Sequence, residues 1–160
     1  MQRSNIAIIT LILFALSMAF WLNENNINQA SFLTAQKGIL PISDVQETDT
    51  YRLKGEWEFY PNQFVHSDRI DSRTFLSSAQ DWSSVLNSQY GYGSYVLTLT
   101  QLDPETIYGL LLEEAGNSHA VYVNDSLIME NGKVAKNALI YKPATYTTKA
   151  AFVSDAKGEA

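Results

Sequence analysis

Between Leu53 and Tyr60 apolar and polar residues alternate: Leu53, Trp57 and Phe59 fall on one face, Lys54, Glu56, Glu58 and Tyr60 on the other, and Pro61-Asn62 ends the run. That period of two predicts a half-buried strand. Ser94 to Thr100 alternates again, with Tyr95, Leu97 and Leu99 set against Val96, Thr98 and Thr100, and Asp103-Pro104 closes it. From Thr106 to Glu113 the apolar residues Ile107, Tyr108 and Leu110 to Leu112 form a near-continuous run bounded by Gly116-Asn117, which predicts a strand buried on both faces. Ala120 to Val123 leads into Asn124-Asp125, a two-residue turn of type I′ chemistry, and Leu127 to Met129 returns, so residues 119–130 predict a β-hairpin. Asn131-Gly132 makes the next turn. Residues 81–87 predict one short helical turn, and no longer stretch after the N-terminal segment shows a 3.6-residue period. Short apolar runs divided by closely spaced turn signals give an all-β chain without an internal repeat.

The N-terminus follows a different rule. Ile6 to Leu22 carries no charge, and at ~1.5 Å per residue that stretch spans ~25 Å as a helix, marginal for a bilayer. Arg3 and the amino terminus supply the positive charge before it, and Asn23 to Gln36 supply none, so the positive-inside rule leaves the N-terminus cytoplasmic and the rest of the chain outside. Residues 1–22 read as a cleaved signal peptide, with small residues at Ser17-Met18-Ala19, or as an uncleaved signal anchor with Trp21 at the interface. A buried helix of a soluble protein would show a polar stripe, whereas this one has only Thr10 and Ser17. Residues 23–32, rich in Asn and Gln, read as a linker. Residues 33–160 then form one extracytoplasmic domain, located at the cell membrane or in the periplasm.

Composition narrows the chemistry. With 46% hydrophobic and 12% aromatic residues the chain is built to fold around a core. A net charge of −6 and the absence of a basic cluster of nucleic-acid type argue against a phosphate-backbone partner. Without cysteine there is no disulfide, Cys-zinc site or thiol nucleophile.

Three pieces in order carry a resemblance: Leu53-Lys54-Gly55-Glu56-Trp57-Glu58-Phe59-Tyr60, then Trp82 followed by Tyr90-Gly91-Tyr92-Gly93-Ser94-Tyr95, then Ala120-Val121-Tyr122-Val123-Asn124-Asp125. Over roughly residues 50 to 145 they resemble a galactose-binding-like jelly-roll β-sandwich. Within that fold they are most similar to the extracellular sensor domain of bacterial seven-transmembrane receptors with diverse intracellular signalling modules. In that family an L-x-G-x-W-x-F-Y strand opens the domain, and a Y-x-N-G hairpin and a G-K-V-G loop follow. Asn131-Gly132-Lys133-Val134 matches the loop, with Ala135 in place of its last glycine. Asp125 replaces the hairpin glycine and tolerates positive φ less well, so another turn type is open there. The sugar-binding domain of family-two glycoside hydrolases shares the first two pieces. The resemblance implies a periplasmic domain that receives a small-molecule signal, carbohydrate in type, for a receptor such as a sensor histidine kinase or diguanylate cyclase. It also implies further strands beyond Ala160, so a truncated gene, a fragment or a domain completed by a partner chain is expected, with an open sheet edge as the physical consequence.

Candidate site residues follow from the loops. Tyr90-Gly91-Tyr92-Gly93 offers Tyr90 and Tyr92 as stacking faces for a sugar ring, with glycines that admit close backbone approach. Alternatively Gly91 and Gly93 shape the start of the next strand while Tyr95 joins the core. Trp82 either caps the sandwich end or joins the site. Lys133 could contact an anionic ligand group or be an ordinary exposed turn lysine. Trp57 shares the face of Leu53 and Phe59 and belongs to the core. Glu113-Glu114 is the obvious carboxylate pair, but neighbouring strand residues point to opposite faces, which makes it a poor acid–base pair. His66 and His119 stand alone, without ligand spacing or a triad, and read as surface residues. No enzyme, metal or cofactor is expected. The leading reading is a ligand-sensing receptor domain; the alternatives are a non-catalytic sugar-binding domain of a family-two glycoside hydrolase and an envelope interaction protein.

Overall fold

The computed structural model of the protein describes residues 31–43, 45, 49–68, 72–78, 82–88, 90–113 and 116–160. The expected membrane segment and all but the last two residues of the expected linker lie outside them, and among the described residues no helix is long and apolar enough to cross a membrane. Phe32–Asp49 with Leu53–Ala160 form one compact unit, mostly β.

Ten strands are described: β1 (Ser31–Ala35), β2 (Ile39–Pro41), β3 (Tyr51–Pro61), β4 (Thr74–Ser77), β5 (Gly93–Val96), β6 (Thr98–Thr100), β7 (Ile107–Leu112), β8 (His119–Val123), β9 (Ser126–Asn131) and β10 (Thr148–Val153), with one helical turn, α1 (Ser83–Leu86), between β4 and β5. The long strand β3 organises the first sheet, pairing with β1, β4 and β5. Both β4 and β5 run antiparallel to it and pair with Glu58 and Phe59, so they lie on its opposite sides. Gly55, at φ 105°, is where β1 closes on β3: a Cβ there would run into the Ala35 backbone.

Lys37 and Gly38, both at positive φ, turn β1 back into β2, and the Gly38 amide and carbonyl then bond to the Glu56 carbonyl and the Thr98 amide. β2 pairs in parallel with β6, whose Leu99 exchanges backbone hydrogen bonds with Ala160. β7 pairs antiparallel with β10, and β8 with β9. The expected hairpin is present with Asn124 at φ 46° and Asp125 at φ 66°, the left-handed pair of a type I′ turn, so aspartate holds that geometry without glycine. A register shift after Val121 leaves Ile128 as the extra residue of a bulge.

The core joins buried Ala35, Leu40, Ile42, Leu102 and Phe152, flanked by partly buried Leu53, Trp57, Tyr108 and Leu110. Four expectations need correction. The alternating run at Ser94–Thr100 is two strands, divided at Leu97, because its first half pairs with β3 and its second with β2. Tyr60, expected on the polar face, is buried: its hydroxyl donates to Glu58 Oε2 at 2.6 Å, which satisfies the polar tip and makes burial of the ring tolerable. β7 is covered on one face only: Tyr108 and Leu110 meet the core, while Ile107 is 72% exposed and Leu111 is exposed as well. A continuous apolar run fits a two-sided strand, yet no described layer covers the outer face. His119 is half-buried rather than on the surface, with Nε2 3.2 Å from Thr148 Oγ1 and Nδ1 lacking a partner among the described residues.

Candidate functional site

The site grows from the end of β3. Pro61-Asn62 stops the ladder, and Asn62, at φ 56°, turns the chain into the loop 62–68. That loop is fixed from inside: the Phe64 amide donates to Asp68 Oδ2 at 2.8 Å, and the Ser67 and Asp68 amides donate to the Phe64 carbonyl. It is also fixed from β5, because Ser94 Oγ donates to the Gln63 carbonyl at 3.0 Å and accepts from the Val65 amide at 3.2 Å.

Side chains from three other parts of the chain converge on this loop. The Tyr92 ring packs on Phe64 with centroids 4.9 Å apart. His66 and Tyr122 of β8 stack, 4.0 Å apart and 17° from parallel. Lys136 Nζ lies 2.6 Å from Asp68 Oδ1 and 5.6 Å from the Phe64 ring centroid. The Lys136 ammonium, with help from the Phe64 amide, holds the Asp68 carboxyl below its usual range. The result is an aromatic ledge bearing a fixed charge pair, with His66 and Tyr122 exposed. Stacked rings keep two outer faces, which suits them to a sugar's apolar face, and Asp68 and Lys136 supply hydrogen-bond partners for hydroxyls.

Of the residues predicted from sequence, Tyr92 belongs to this ledge. Trp82 does not join it: it precedes α1 and packs 6.2 Å from Phe59, next to the Phe59–Tyr95 pair at 4.7 Å. Tyr90 projects outward at 87% exposure. Among the described residues no ring contact joins Trp82, Tyr90 and Tyr92 to one another. Lys133 bridges through its backbone to Lys142, so the lysine at the ledge is Lys136, three positions on. Gly93 admits the Phe59 ring, which a Cβ would meet at 2.7 Å, as the strand-shaping alternative requires. Tyr95, though exposed, contacts both Trp57 and Phe59. Trp57 lies against the core.

Phe64, His66, Asp68, Tyr122 and Lys136 form the greater part of the ledge. Their signal in the sequence was the loop-forming Pro61-Asn62 followed by an isolated Phe-Val-His, too weak to stand alone. Among the described residues no group of three or more His, Asp or Glu side chains is placed to hold a metal. Glu113 is exposed, and Glu114 lies outside the described residues. No protein-family model matches the chain, and neither a curated protein nor a solved structure does.

Proposed function

We propose that this chain is the extracytoplasmic ligand-sensing domain of a bacterial membrane signalling receptor, such as a sensor histidine kinase or diguanylate cyclase, built as a galactose-binding-like jelly roll and taking a carbohydrate-type ligand. The observation that carries the reading is the ledge of Phe64, Tyr92, His66 and Tyr122 beside the Asp68–Lys136 pair. Flat rings next to fixed polar groups are what saccharide recognition needs: stacking for the ring's C–H face and directional partners for its hydroxyls. Residues 6–22, as signal peptide or anchor, would deliver the domain to the outside of the membrane. The test is a thermal-shift screen of the full chain in non-ionic detergent against saccharides, amino acids and nucleotides. A saturable rise in Tm with a saccharide is expected; a folded chain that responds to no saccharide refutes the reading.

A further inference from the structure

Beyond ligand sensing, the segment that follows β9 has a separate character. From Asn131 to Ser154 there is no acidic residue, and Lys133, Lys136, Lys142 and Lys149 fall in this stretch, four of the eleven basic residues of a chain whose net charge is −6. Its middle is a tight turn with an apolar tip. The Ile140 and Tyr141 amides both donate to the Asn137 carbonyl, and Asn137 Oδ1 accepts from the Leu139 amide at 2.9 Å. Leu139 is thereby held 91% exposed and Ile140 51% exposed.

The base of the turn is closed. Lys133 and Lys142 exchange backbone hydrogen bonds at 2.8 and 3.1 Å, and Ser118 ties to it through the Lys133 carbonyl and the Tyr141 hydroxyl. An almost fully exposed leucine on a braced turn is not the by-product of a floppy segment. Lys136 is partly neutralised by Asp68, whereas no carboxylate is paired with the exposed Lys133 and Lys142 at the two sides of the tip among the described residues.

We infer that this turn is a membrane-contacting tip: Leu139 and Ile140 enter the headgroup–acyl boundary of an anionic bilayer while Lys133 and Lys142 meet the lipid phosphates. The occupant follows from the chemistry of the patch. Two aliphatic side chains supply too little area for a stable protein interface, yet they match the shallow insertion of interfacial anchors, and flanking lysines favour an anionic surface by about fivefold each in partitioning. Long lysine stems let the ammonium groups remain at headgroup level as the tip sinks.

The chain has no cysteine, so a single reporter can be placed. Full chain carrying Leu139→Cys labelled with an environment-sensitive dye is mixed with phosphatidylcholine vesicles with or without phosphatidylglycerol, and quenching by doxyl lipids is measured. Lys157→Cys, on another exposed turn, is the control. Adsorption through residues 6–22 does not by itself register, because the dye reports only its own turn. Quenching at 139 above that at 157, confined to anionic vesicles and weakened about 25-fold in apparent partitioning by Lys133→Gln with Lys142→Gln, is expected. The inference is overturned if the dye at 139 stays unquenched, if both sites quench alike, or if neutral vesicles serve equally well.

Discussion

Phe59→Ala is the perturbation whose cost the structure sets most closely. The ring is wholly buried between Tyr95 at 4.7 Å and Trp82 at 6.2 Å, at the point where β4 and β5 both pair with β3. Truncating such a side chain costs about 3–5 kcal/mol, of which the ring pairs supply about 0.5–1.5 kcal/mol each beyond area burial. Against a typical total of about 5–15 kcal/mol, that loss is a large share of the domain's stability. A milder pair of substitutions isolates the cause. Gly93→Ala would set a methyl 2.7 Å from Phe59 Cε2 and 3.0 Å from the Tyr60 carbonyl oxygen, and overpacking of this kind costs about 1–3 kcal/mol. In a Phe59→Leu background the ring edge is gone and only the carbonyl contact remains, so Gly93→Ala should cost on the order of 1 kcal/mol less. Urea unfolding of the full chain in non-ionic detergent, followed by tryptophan fluorescence, reads both. A Phe59→Ala loss below about 1 kcal/mol, or a Gly93→Ala cost unchanged by Phe59→Leu, would refute this packing.

Two further outcomes are expected. Because Lys136 and the Phe64 amide lower the Asp68 pKa in the folded state, the folded chain binds fewer protons than the unfolded one between the two values. The contribution of this tie is therefore complete above the ordinary carboxylate value and disappears as pH falls through the depressed one. An NMR titration of the Phe64 amide should show a midpoint below the ordinary value that rises in Lys136→Ala; a midpoint already at the ordinary value, or one indifferent to Lys136, contradicts the geometry. Asp125→Gly should stabilise the hairpin by about 0.5–1 kcal/mol, since glycine adopts the left-handed conformation at lower cost, and a loss of stability in thermal unfolding would exclude the type I′ turn.

Much of the fold was legible where two independent signals coincided. β3 combined strict alternation with a Pro-Asn stop, and the β8–β9 hairpin combined apolar runs with an Asn-Asp turn, so both stand where the sequence predicts them. The β1–β2 hairpin had only Lys37-Gly38, and β4 and β10 lack a clean alternation, so their pairing depends on partners distant in the chain. Leu97 looked like one more residue of an alternating strand, yet the change of partner from β3 to β2 breaks the ladder there. One-sided burial of β7 was equally hidden, because an apolar run does not record which layers cover it. For the ledge, Tyr92 announced itself through its glycines. Asp68 and Lys136 are 68 residues apart, and each on its own is an ordinary surface charge. Only folding makes them a pair beside four rings.

Isothermal titration of the best saccharide from the screen into wild-type chain, Tyr122→Ala and Tyr90→Ala tests the sensing account most directly. Loss of one stacking ring should weaken binding by about 1–2 kcal/mol in Tyr122→Ala and leave Tyr90→Ala at wild-type affinity. Tyr122→Ala binding as tightly as wild type, or a loss confined to Tyr90→Ala, would place recognition elsewhere and contradict the account.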